Sequence, residues 1–225
     1  MTKTDRQLKQ DIETELLWDP RVNASQIGVG VDAGVVSLFG TVDTWPQKWA
    51  AEEATKRVAG VRTVAQDMTV KVLAEHASTD TDLAAAVQTA LQRDLSVPAT
   101  IGAEVERGVV TLRGKATWHF ERAAAERAVR NLRGVVAVHD SVTLDDRAAG
   151  DPSGKPSQVE RGVVAALARQ SSHHATSIHV KSEGGKVTLT GHVSSWQELG
   201  DASTAAWAAP GVTEVVDFLA VVPQP

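Results

Sequence analysis

Apolar residues recur along this chain first at every second position and then at every third or fourth, and the whole alternation occurs three times. Three segments align without a gap: IGVGVDAGVVSLFGTV (Ile27 to Val42), IGAEVERGVVTLRGKA (Ile101 to Ala116) and IHVKSEGGKVTLTGHV (Ile178 to Val193), at offsets of 74 and 77 residues. In the first, Ile27, Val29 and Val31 alternate with glycine, Asp32-Ala33-Gly34 turns the chain, and Val36, Leu38 and Val42 resume the alternation, which predicts a hairpin with one apolar face. Ile101, Ala103 and Val105 with Val110, Leu112 and Ala116 follow the same parity, as do Ile178 and Val180 with Val187, Leu189 and Val193. Small residues then recur at Ala51 and Ala54, Ala125 and Ala128, and Ala202 and Ala205, a stripe that predicts a helix held close to the sheet. Thr44-x-x-Gln47 and Ser195-x-x-Glu198 have the form of capping boxes at its start, where the second copy has Trp118 instead. Gly60, Gly134 and Gly211, each 20 residues beyond Gly40, Gly114 and Gly191, are expected as helix caps leading into a third apolar strand. An amphipathic helix is predicted upstream of each hairpin, marked by Leu8, Ile12 and Leu16, by Leu83, Val87 and Leu91, and by Val159, Val163 and Leu167.

The expected fold class is therefore α+β: three tandem αββαβ units, each a small three-stranded mixed sheet with two helices on one face. The units are expected at residues 4–72, 78–146 and 155–223, joined by polar linkers at 73–77 and 147–154. Gly34, Gly108 and Gly185 suit a turn that needs a positive φ. Gly40, Gly114 and Gly191 fall on the inward parity of the second strand, where a missing side chain would admit the following helix. The outward row is Val35, Ser37, Phe39 and Thr41 in copy one, against Val109, Thr111, Arg113 and Lys115, and Lys186, Thr188, Thr190 and His192, in the others. Phe39, in the most apolar of these rows, is expected near a contact between units.

The pattern I-x-V, G-x-V-x-L-x-G-x-V, a helix with spaced alanines and then G-V-x-x-V resembles the BON domain of bacterial osmotically inducible and nodulation-associated proteins, and all three copies carry it. The resemblance implies the αββαβ fold. It also implies a binding role linked to osmotic or envelope stress, with attachment to phospholipid or other membrane components in envelope-located relatives. It brings no catalytic residue set to positions here.

Composition narrows the chemistry. With no cysteine, disulfides and thiolate metal sites are absent and a reducing compartment is suited. The start MTKTDRQLKQDIETELL lacks a secretory pattern and no stretch reaches the ~18 apolar residues of a membrane span, so a cytoplasmic protein without a transmembrane segment is expected. A formal charge of -5 argues against nucleic acid as a partner. No nucleophile elbow, zinc-protease motif or Walker loop occurs, and the glycines Gly28, Gly30 and Gly34 run into a hairpin rather than a helix; neither catalysis nor a cofactor is expected. His173, His174, His179 and His192 crowd copy three. Facing strand positions for His179 and His192 would make a weak surface metal site, and ion or metal binding is kept as a second alternative.

Six tryptophans, three phenylalanines and no tyrosine point elsewhere. Trp45 and Trp196 begin the second helix of their copies and Trp118 lies beside the same place; Trp18 and Trp49 enlarge a possible patch in copy one. These indoles either cover the core edge or form exposed ends for docking. Arg122, Arg130 and Arg133, with Arg113 and Lys115 on the outward strand, are a local basic excess. They read either as a solvated face with ion pairs or as a dock for an acidic partner. The resulting expectation is a non-enzymatic binding or adaptor protein for an unidentified protein partner, the alternative being an anionic phospholipid surface met through these Trp and Arg residues.

Overall fold

A computed structural model of the chain describes residues 3–71, 78–145, 156–170, 178–183, 185–209 and 211–222, with the backbone alone at 156–158 and 168–170. Copy one runs α1 (Asp5–Trp18), β1 (Ile27–Asp32), β2 (Val35–Val42), α2 (Trp45–Arg57) and β3 (Thr63–Val70). Copy two runs α3 (Asp80–Arg93), β4 (Ile101–Glu106), β5 (Val109–Ala116), α4 (His119–Arg130) and β6 (Ala137–Leu144). Copy three runs α5 (Pro156–Gln170), β7 (Ile178–Glu183), β8 (Lys186–Val193), α6 (Trp196–Trp207) and β9 (Glu214–Val221). The fold is α+β, with three separate sheets ordered β1-β2-β3, β4-β5-β6 and β7-β8-β9. In copies one and three the first pair is antiparallel and the second parallel. A parallel neighbour requires a crossover, and the second helix supplies it.

Burial follows the parity of the central strands. Val36, Leu38, Val42, Val110, Leu112, Ala116, Val187, Leu189 and Val193 are all buried, and so are the α1 and α3 stripes Leu8, Ile12, Leu16 and Leu83, Val87, Leu91. The parity weakens on the first strand, which lies at the sheet edge: Val31, Val105 and Val180 are half-buried and Ala103 is exposed, its methyl too short to reach the helices. The small-residue stripe is displaced slightly. Ala128 is only half-buried, and Ala124, Ala125 and Val129 make the contact instead.

The caps form with a shift. Thr44 accepts the Gln47 amide at 3.4 Å, but the Gln47 side chain reaches back to the amide of Asp43; Ser195 accepts from Glu198, whose carboxylate takes the amide of Ser194 at 2.7 Å. The reciprocal arm thus serves the residue before the cap. Gly60 is not the cap of α2, which ends in extended backbone at Val58. It has φ +109° and precedes Val61, whose amide donates to the Val58 carbonyl, the form of a type II turn between helix and strand.

The hairpin turns of copies one and two are held from two sides. In copies one and two, Ala33 and Arg107 share the left-handed region with Gly34 and Gly108, as a two-residue type I′ turn demands. Asp5, first residue of α1, accepts the Ala33 amide at 3.1 Å, and Asp80, first residue of α3, accepts those of Arg107 and Gly108 at 2.7 and 3.0 Å. On the other side the Gly34, Gly108 and Gly185 carbonyls accept amides of Arg62, Val136 and Thr213 at 2.9, 2.8 and 2.8 Å. The described residues divide into two compact units, one holding copies one and two and the other holding copy three with residues 117–119.

Candidate binding surfaces

Both helices of a copy cover one sheet face, which leaves the other face open. In copy one that face carries Val35 and Phe39, 44% and 51% exposed. Phe39 is explained within its own sheet. It stands opposite Gly28 in the β1–β2 register, and its ring occupies the space a Gly28 side chain would fill, since a Cβ there would lie 2.2 Å from it. In copy two the open face bears Arg113, paired with Glu104 at 3.0 Å, and exposed Lys115. In copy three it bears Lys186, paired with Glu214 at 2.7 Å, and Phe218, 67% exposed.

The basic residues of copy two are dispersed over this frame. Arg122 of α4 pairs with Asp140 on β6, Arg130 stacks over Trp49 of α2 at 4.3 Å, and exposed Arg133 follows the helix. Arg133 lines a cavity of about 210 Å³ between the start of α2 and the turn after α4. The Trp49 contact joins copies one and two within their shared unit.

The tryptophans also serve several ends. Trp45 and Trp196 open α2 and α6 half-buried; Lys48 lies 5.6 Å from the Trp45 ring, and Trp196 packs against the copy-three core. Trp118 is 43% exposed just before α4, and Trp18 is 79% exposed at the end of α1 beside Leu17 at 74%. Trp207, which the sequence reading passed over, stacks against His119 at 4.1 Å. Its signal was its place at the aligned position of Arg130, in the last turn of the second helix.

Two further features border α1. Asp19, its side chain 4% exposed, accepts from Arg21 Nε at 2.9 Å and Arg21 Nη2 at 2.7 Å, and from Arg57 Nη2 at 2.9 Å; Arg57 also meets Glu15. The Arg21 hydrogen bonds, aided by Arg57 against the opposing effect of burial, hold the Asp19 carboxyl far below the usual carboxylate range. Beside it a groove of about 470 Å³, lined by Leu16, Leu17, Val22, Ile27 and Val29 and also by Glu13, Asn23 and Ser25, runs between the last turns of α1 and β1.

His179 stands opposite Thr190, not His192, so the facing pair needed for a surface metal site does not form. His173 and His174 lie outside the described residues. Among the described residues no group of three or more potential ligands gathers, and no helix is long and apolar enough to cross a membrane.

Three small sandwiches on one plan, each with a helix-covered face and an open face, define a tandem-repeat α+β protein. The chain belongs to the BON domain family, whose model matches residues 4–72, 79–146 and 157–223. BON domains are not known as enzymatic domains. No curated protein matches the chain. Among solved structures it is similar to CdsD, a structural protein of the Type III secretion system of Chlamydia trachomatis, at 16% identity over 97% of this chain and 93% of that one, with a TM-score of 0.27. The PrgH periplasmic domain is similar at 12% identity over 87% and 95%, with a TM-score of 0.22. At these scores neither likeness bears on function.

Proposed function

We propose that the chain is a non-enzymatic adaptor, acting in the cytoplasm under osmotic or envelope stress, whose copies offer unlike surfaces to protein partners. One observation carries this reading: a single backbone plan bears different chemistry on its open face each time. Copy one offers Val35 and Phe39, copy two Arg113 and Lys115, and copy three Phe218 among charged pairs. Tethered weak surfaces gain avidity when their geometry permits simultaneous contact. The anionic-phospholipid alternative draws less support, because Arg113, Arg122 and Arg130 are engaged by Glu104, Asp140 and Trp49.

Pull-downs from osmotically stressed cells, run with the natural chain and with Val35→Lys and Phe218→Lys, should recover proteins that one variant or the other loses. The chain should remain in the supernatant when anionic vesicles are sedimented at low salt, and cell fractionation should find it in the cytoplasm. Partners indifferent to both variants, together with salt-sensitive pelleting on vesicles, would replace the adaptor reading with the lipid one.

A further inference from the structure

The cavity between the start of α2 and the turn after α4 sets an acid against a base without joining them. Its volume is about 210 Å³, with Asp43 and Thr44 lining it from copy one and Asn131, Arg133 and Gly134 lining it from copy two. Both walls belong to the same compact unit, and Arg130, stacked over Trp49 at 4.3 Å, ties together the helices that carry them. Among the described residues the Asp43 carboxylate, the Asn131 carboxamide and the Arg133 guanidinium have no hydrogen-bond or ion-pair partner, and Asp43 and Arg133 do not pair with each other. The neighbouring arginines differ in this respect, since Arg113, Arg122 and Arg130 are engaged by Glu104, Asp140 and Trp49.

The repeat plan requires neither charge. Where copy one has Asp43 the other copies have Thr117 and Ser194, and where copy two has Arg133 the others have Ala59 and Pro210. The glycine beside Arg133, by contrast, recurs as Gly60 and Gly211. The turn is thus common to the copies, and the opposed charges are particular to this cavity.

Sign and size together select the guest. A simple anion suits Arg133 but is repelled by Asp43, and a simple cation suits Asp43 but is repelled by Arg133. A zwitterion meets both at once, its carboxylate accepting from the planar guanidinium and its ammonium donating to the Asp43 carboxylate. The volume lies below the roughly 300–1,000 Å³ of pockets for drug-sized ligands, so the guest has only a few heavy atoms.

We propose that this cavity binds a small zwitterion, a free amino acid held by its ammonium at Asp43 and by its carboxylate at Arg133, with the Asn131 carboxamide as a further hydrogen-bonding group. The guest bridges copies one and two and stabilises the unit that contains both. The site is separate from the adaptor reading, which concerns the open faces of the sheets.

Titration of the isotope-labelled full chain with glycine, β-alanine and γ-aminobutyrate, followed by amide chemical shifts, tests it; the series varies the distance between the two charges. At least one of the three should give saturable shifts at Thr44, Arg133 and Gly134 with a roughly millimolar Kd. Acetate and ethylammonium, each with one of the charges, should not saturate over the same range. Asp43→Asn and Arg133→Gln should each weaken binding by about tenfold or more, and calorimetry with the bound amino acid should raise the transition of the unit of copies one and two while leaving that of copy three in place. Shifts that stay absent or linear into the tens of millimolar for all three amino acids overturn the proposal. So does an equal response to acetate or ethylammonium, or binding that survives either substitution. None of these results alters the pull-down with Val35→Lys and Phe218→Lys, by which the adaptor reading stands or falls.

Discussion

Gly40 is determined by two constraints at once. Its φ is +115°, in the region that L side chains rarely adopt, and a Cβ there would lie 2.1 Å from the Gln26 carbonyl oxygen. Gly114 meets the Thr100 carbonyl at the same distance with φ +129°. Because the crowding atoms are backbone, no rotamer change relieves the clash. Gly40→Ala should therefore lower unfolding free energy by about 2 kcal/mol or more in denaturant titrations. Gly102 is the contrast, with nothing within 4 Å of an added Cβ, and Gly102→Ala should be neutral or stabilise by about 0.4–1 kcal/mol through the unfolded state. Spacing alone made Gly40 visible as a special position. Its reason was misplaced, because alternation aims the position at the helix, while the obstructing carbonyl precedes β1 and approaches only once the hairpin has paired. Phe39 also has a neighbour that hydrophobic patterning does not show, since its ring lies over the bare backbone of Gly28 across the hairpin.

At the scale of elements, Asp19 ties the end of α1 to the end of α2 through Arg57. Its folded-state pKa is depressed, so its contribution is complete above the unfolded carboxylate value of about 3.9 and is lost as pH falls through the folded value. Stability measured by thermal melts should decline below about pH 4. Asp19→Asn should flatten that decline and cost about 1–3 kcal/mol at neutral pH, where Arg21 and Arg57 lose a charged acceptor. Nothing local announced this contact, since Arg57 lies 38 residues along the chain. The capping boxes were more legible, because their donors and acceptors sit within one turn. Even there the backbone placed the reciprocal arm one residue earlier than the motif implies.

Across the whole molecule, the division into two units predicts unfolding in more than one step. Calorimetry should resolve a transition for the unit of copies one and two from that of copy three. Removing the Arg130 contact by Trp49→Leu should shift only the former, by about 0.5–1 kcal/mol beyond the packing change. The same scale separates the candidate surfaces. Arg113, Arg122, Arg130 and Arg133 look like one basic run in sequence, yet folding places them on a strand, on a helix and beyond its end, three of them already engaged. The groove beside β1 was not legible at all, because its walls come from a helix, a connection and a strand edge whose individual residues read as ordinary core.

The order of elements, the threefold repeat and the buried row of each central strand are properties of consecutive residues, and the sequence by itself determined them: period two and period 3.6 follow from local backbone geometry wherever the chain goes. Tertiary structure alone decided which glycines are crowded by backbone and which arginines are engaged by a carboxylate or an indole. Those outcomes depend on pairing between segments tens of residues apart, and the contacts that fix them do not exist until the sheets and helices have met.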